Sequence, residues 1–125
     1  MRLTVEAALR RIGDLLRDDV APDLQTPFLG QSVRMAGSVL TICANWVDDA
    51  AAIRVEENAK LRSVLGLPAA SDPGLRISQL DSENHRLRRL LVETHAAAEE
   101  AGDAARNAAI WALLEEIELA RAHRE

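Results

Sequence analysis

The sequence predicts an all-α fold, and three observations carry that reading. Ala, Leu, Glu and Arg dominate the composition, and all four are strong helix formers. Six Gly and four Pro in 125 residues are too few for a sandwich or barrel, which turns about every 8–12 residues. Apolar residues recur at three- and four-residue steps along most of the chain, the spacing of a helix face. Apolar types make up 48%, enough to bury a core, and the length fits a single helical domain spanning 1–125.

The first helix is expected over about 4–19. Thr4 is its N-cap, Glu6 places negative charge in the first turn, and Pro22 stops it. Val5, Ala8, Leu9, Ile12, Leu15, Leu16 and Val20 form one apolar stripe. The second helix is expected over 27–65. It starts at Thr26-Pro27, with proline at the first helical position, and ends at Gly66 in the left-handed C′ position with Leu67 folding back. Such a helix is about 60 Å long. Its first half carries two stripes: Val33, Ala36, Leu40, Cys43, Val47 and Ala50; and Met35, Val39, Ile42, Trp46 and Ile53. Two stripes mean more than one neighbour, and Cys43 on the inner stripe reads as a buried, inert thiol.

Residues 67–76, with Pro68, Asp72, Pro73 and Gly74, are the turn region. Ser78 and Asp81 resemble a capping box for a third helix over 77–123. Its 3.5-residue phase passes through Gly102 without slipping, which favours one continuous helix over a turn at Gly102-Asp103. The architecture expected is a short N-terminal helix plus a long antiparallel helical hairpin, with the bundle completed by self-association. A break near Gly102 gives the alternative, a compact four-helix bundle monomer.

An internal echo fixes the register of the hairpin. Glu57-Asn58-x-x-Leu61-Arg62-x-Val64-Leu65 returns as Glu83-Asn84-x-x-Leu87-Arg88-x-Leu90-Leu91. Asn58 and Asn84 lie equally far from Ser71, so they face each other if the chain reverses there. Two amides at one level satisfy each other, whereas a slipped register leaves each unpaired at about 1–3 kcal/mol. Asn58, Leu61, Leu65, Asn84, Leu87 and Leu91 are therefore the expected register residues. The same alignment puts Asp48 beside His95 and sets Met35, Val39, Ile42 and Trp46 against the Ala-rich stretch from Ala97 to Ala112. Trp111, Leu114 and Ile117 leave apolar side chains around the last turns and are expected at an interface of a homodimer.

Several classes of function are set aside. Net charge −5 and a pI near 5.2 argue against binding a phosphate backbone, so no nucleic acid is expected. One cysteine excludes an internal disulfide framework and a thiolate zinc site. Phe28 to Val47, the most apolar stretch, is interrupted by Gln31, Arg34 and Asn45, so no membrane span is expected. The start has no apolar signal segment, and the cytoplasm is the expected compartment. Asp81-x-x-x-His85 and His95-x-x-x-Glu99 miss the Glu-x-x-His spacing of a di-iron bundle. Phosphate loops and nucleophile motifs are absent from the sequence. No catalytic residue, metal or cofactor is expected. The basic run His85, Arg86, Arg88 and Arg89 has acidic neighbours and reads as surface pairing. An apolar or acyl ligand is the alternative to a protein partner, in a candidate pocket of Met35, Ile42, Trp46, Asp48, Asp49 and His95.

The Thr4-Val5-Glu6-Ala7-Ala8-Leu9-Arg10 start, the Pro-containing linker and the Glu56-Glu57-Asn58-x-x-Leu61-Arg62-x-x-Leu65-Gly66 ending resemble a group of small bacterial helical proteins. Members of that group are often encoded beside phosphotransferase-like and acyl-CoA-handling enzymes. The resemblance covers roughly Thr4 to Gly66. It implies an accessory role beside a partner enzyme and carries over no catalytic residue. The function expected is thus a non-catalytic interaction protein that self-associates and serves a partner enzyme.

Overall fold

A computed structural model describes residues 2–122 and is all-α, with no strand among the described residues. Helix α1 is Val5–Asp14, α2 is Pro27–Val47, α3 is Ala50–Val64, α4 is Ile77–Ala101 and α5 is Ala104–Ala122. Contacts group the described chain into two compact units, residues 2–49 and residues 50–122, where the sequence led us to expect one.

In the first unit, α1 starts as expected: the Thr4 hydroxyl accepts from the Ala7 N–H at 3.1 Å. Its end differs. Leu15–Val20 widens into a π-helix and Ala21–Asp23 closes as a 3-10 turn. Pro22 has no N–H to donate to the preceding turn, and Ala21 N–H reaches back to Leu16 O in the wider spacing. The closest approach of α1 and α2 is made by small residues. A Cβ on Gly13 would stand 2.7 Å from Gly37 O, and one on Gly37 would stand 2.6 Å from Gly13 O. The two backbones touch there, and only glycine permits it. Gly30 and Ala44 continue the buried line along α2, and Ala21 is buried beside Gly30.

In the second unit, α3 and α4 form a hairpin across the linker and α5 packs on both. Leu61, Leu87, Leu91, Ile110, Leu113 and Ile117 make its core, with Val64, Leu65 and Leu114 against it. Gly66 closes α3 at φ +70°, with Leu67 N–H bonded to Arg62 O at 3.0 Å, as its sequence position predicts.

Three boundary expectations are corrected. The helix expected over 27–65 is interrupted at Asp48-Asp49, where adjacent carboxylates meet the negative end of α2. The helix expected over 77–123 breaks at Gly102, which takes φ 67° and ψ 27°; position 123 lies outside the described residues. Asp103 N–H bonds Ala98 O at 2.9 Å and Gly102 N–H bonds Glu99 O at 3.2 Å, closing α4. Asp103 Oδ1 then caps Arg106 N–H at 3.0 Å and opens α5. Two residues thus end one helix and start the next without disturbing the apolar phase. Finally, the turn before α4 is organised by Arg76 and Gln79 instead of Ser78 and Asp81: Gln79 Oε1 accepts from Arg76 N–H at 3.4 Å, while Asp81 is drawn to Arg54.

Candidate functional site

The asparagines of the echo meet. Asn84 Nδ2 donates to Asn58 Oδ1 at 3.0 Å, and both side chains are buried between Leu61 and Leu87, themselves fully buried. Asn58 Nδ2 is shared between Asp72 Oδ1 at 3.0 Å and Leu80 O at 3.3 Å. The linker and α4 backbone thus complete the amide's needs.

The echo also brings its charges together crosswise. Arg62 of the first copy reaches Glu83 of the second at 3.1 Å, and Arg88 of the second approaches Glu57 of the first at 3.6 Å. The two motifs are related locally by an approximate two-fold axis through the amide pair. Different groups finish each end. At one, Asp72 accepts from Arg62 Nη2 at 2.6 Å, and Arg62 also donates to Ala70 O at 3.2 Å, pinning the linker. At the other, α5 sends Arg121 to both oxygens of Glu57, at 3.2 and 3.3 Å, and Arg54 adds a bond at 3.2 Å. Arg88 Nη2 is buried without a hydrogen-bond partner; Arg88 is held by its Nε bond to Asn84 Oδ1 at 2.9 Å and by the charge of Glu57.

These contacts set the ionisation of the carboxylates. Burial pushes Glu57 up, but the Arg121 hydrogen bond and charge, with Arg54 and Arg88, hold it below its ordinary value. The Arg86 hydrogen bond, against the opposing effect of burial and with help from Arg62, holds Glu83 down at about 2. Both remain anionic at neutral pH, and each is saturated by arginine. The cluster therefore holds α3 and α4 in a fixed register. Among the described residues, no group of His, Cys, Asp and Glu is arranged to hold a metal ion.

The sequence pointed to the amides and leucines of the echo but missed its ion pairs. The signal was present, because Glu and Arg repeat at matching positions and fall opposite one another when the copies run antiparallel. Asp72 and Arg121 carry no such signal, since each is a single residue recruited from the linker and from α5.

Other candidate residues are placed differently from expectation. Ile117 is buried in the core of its own unit and Leu114 packs against that core, because α5 folds back after Gly102. Trp111 is more than half exposed and stands edge-on to His95 at 5.2 Å. His95, expected beside Asp48, is bonded through Nε2 to Asn107 Oδ1 at 2.6 Å and lies 3.5 Å from Glu99. The residues of the candidate ligand pocket divide between the two units, His95 in the second and the others in the first. Met35, Ile42, Asp48 and Asp49 are exposed and Trp46 is half-buried on the α2 side of the chain. Cys43 is exposed, against the expectation of a buried thiol. The Ala-rich stretch is divided by the Gly102 turn, and Met35 and Val39 are exposed.

The most exposed apolar surface belongs to the first unit. Phe28, Leu29, Met35, Val39, Ile42 and Val47 on α2 are all exposed, as are Val5, Ile12 and Leu15 before it. Comparison of the chain with protein-family models, with curated proteins and with solved structures finds no match in any of the three. No helix among the described residues is long and apolar enough to cross a membrane.

Proposed function

We propose that the chain is a non-catalytic, cytoplasmic helical interaction protein that self-associates and serves a partner enzyme. One observation carries this reading. The α1–α2 unit fully buries only glycine and alanine among its described residues, and it leaves Phe28, Leu29, Met35, Val39, Ile42 and Val47 of α2 exposed. A hairpin that buries little apolar area gains little from folding alone, and a contiguous apolar surface of this kind marks an interface. The second unit supplies the contrast: Leu61, Leu80, Leu87 and Leu91 are buried, and its polar cluster fixes the register of α3 and α4.

The resemblance of residues 4–66 to helical proteins encoded beside enzymes supports the accessory part of the role. Sedimentation velocity of the purified chain tests self-association, with a species of twice 13.7 kDa as the expected result. A single species of 13.7 kDa at every concentration contradicts it.

A further inference from the structure

We propose that a second copy of this chain packs antiparallel on the large-residue face of α2, making the two α2 helices the centre of a dimer. This rests on the self-association proposed above and gives it a surface and a register.

The contact of α2 with α1 runs along Gly30, Gly37 and Ala44. At about 100° per residue, Phe28, Ser32, Met35, Val39, Ile42 and Trp46 fall on the opposite side of the helix. They alternate four- and three-residue steps, the spacing of a coiled-coil seam. Leu29, Ala36 and Cys43 flank that seam and are all exposed. Phe28 is 81% exposed, Met35 60% and Val39 55%, with Leu29 and Ile42 adding to them. Together they bare on the order of 500 Å² of apolar surface, against ~800 Å² per partner in a stable interface. Flanking residues supply the remainder once two helices close on each other.

Charge selects another copy of the same helix, and selects its direction. Arg34 is the one charged residue in the sequence between Pro27 and Val47. The seam therefore lacks the flanking charge pattern by which a coiled coil chooses a different partner. Charge lies at the ends instead. The helix closes at Asp48, next to Asp49, where its own dipole disfavours a carboxylate. It opens at Thr26, whose side chain makes no capping hydrogen bond, leaving the positive end of the dipole there. A parallel pair gathers four carboxylates at one end. In the antiparallel pair, the seam places Phe28 against Trp46, Ser32 against Ile42 and Met35 against Val39 of the second copy. The same register carries Asp48 to the Thr26 helix start of the second copy. The apolar steps alone set that register, and the charges match in it.

The test uses the full chain. In this register Leu29 lies beside Cys43 of the second copy on the flank of the seam. The L29C variant, oxidised with diamide, is expected to give a covalent dimer. Peptide mapping should show position 29 joined to Cys43 of the other copy. The M35E variant changes a residue exposed in the single chain, so folding is retained by circular dichroism. It is expected to raise the dimer dissociation constant about thirtyfold or more. A dimer whose disulfides join only like positions, or form not at all, overturns the antiparallel seam and leaves self-association standing. So does a dissociation constant unchanged in M35E. A chain that sediments as a monomer at every concentration overturns both.

Discussion

The two units of this chain solve helix packing in opposite ways. In residues 50–122, leucine and isoleucine fill the space between three helices, and a cluster of amides, arginines and carboxylates sets their register. In residues 2–49, glycine brings two backbones into contact, only glycine and alanine are fully buried, and Phe28, Met35 and Val39 of α2 are exposed. Close backbone approach gives good dispersion contact but buries little apolar area, so the first arrangement is stabilised from within and the second leaves apolar surface exposed. Self-sufficiency and availability for contact are thus divided between the units, and the division can be broken residue by residue.

The largest expected effect is in the leucine core. Leu87→Ala removes a fully buried side chain and should cost about 3 kcal/mol in urea unfolding. Met35→Ala, a truncation of similar size on the exposed face of α2, should cost the dilute, dissociated chain less than about 0.5 kcal/mol. Equal losses would erase the contrast between the units.

Next comes the glycine contact. Gly37→Val drives a side chain into Gly13 O and the Arg17 backbone and should destabilise the α1–α2 hairpin by about 1–3 kcal/mol. The loss should be read as faster amide exchange in α1 and α2, with α3–α5 unaffected. A tolerated valine would show that the backbones do not touch.

The amide pair is a smaller and more diagnostic target. Asn58→Leu and Asn84→Leu each strand buried polar groups and should each cost about 1–3 kcal/mol. The double variant should cost clearly less than the two together, and a double-mutant cycle reads that coupling. Strict additivity would mean that the amides do not interact.

The mildest effect is on acid stability. Glu83 and Glu57 have carboxyls held below their ordinary values, so the stability they contribute is complete above the unfolded value near 4.5. It falls as pH drops through the folded value, about 2 for Glu83. The melting temperature of the second unit should therefore decline from about pH 5 downward, and Glu83→Gln should flatten that decline. An unchanged slope in that variant would remove the arginine contacts as its cause.

How much of this was legible in the sequence depends on the kind of signal. The echo was legible because two copies of one motif stood equidistant from a proline-rich turn, and buried amides have few ways to be satisfied. Gly66 was legible because a C′ glycine followed by leucine is a local signal. The break at Gly102 is hard to read in the sequence, since a 3.5-residue phase carries straight through a two-residue reversal when both helices turn the same face to one core. The glycine contact of α1 and α2 was illegible to hydrophobic periodicity, which gives no weight to Gly13, Gly30 and Gly37. Within the stripe that holds Cys43, Val33 and Leu40 are half-buried while Ala36, Cys43 and Val47 are exposed.

Amide hydrogen exchange of the intact chain across a dilution series tests the division of labour most directly. The account predicts that protection in α2 falls as the chain is diluted below its dimer dissociation constant, while protection of Leu61, Leu87 and Leu91 stays constant. Protection of α2 that is independent of concentration, or a core of α3–α5 that loosens in step with it, would contradict the account.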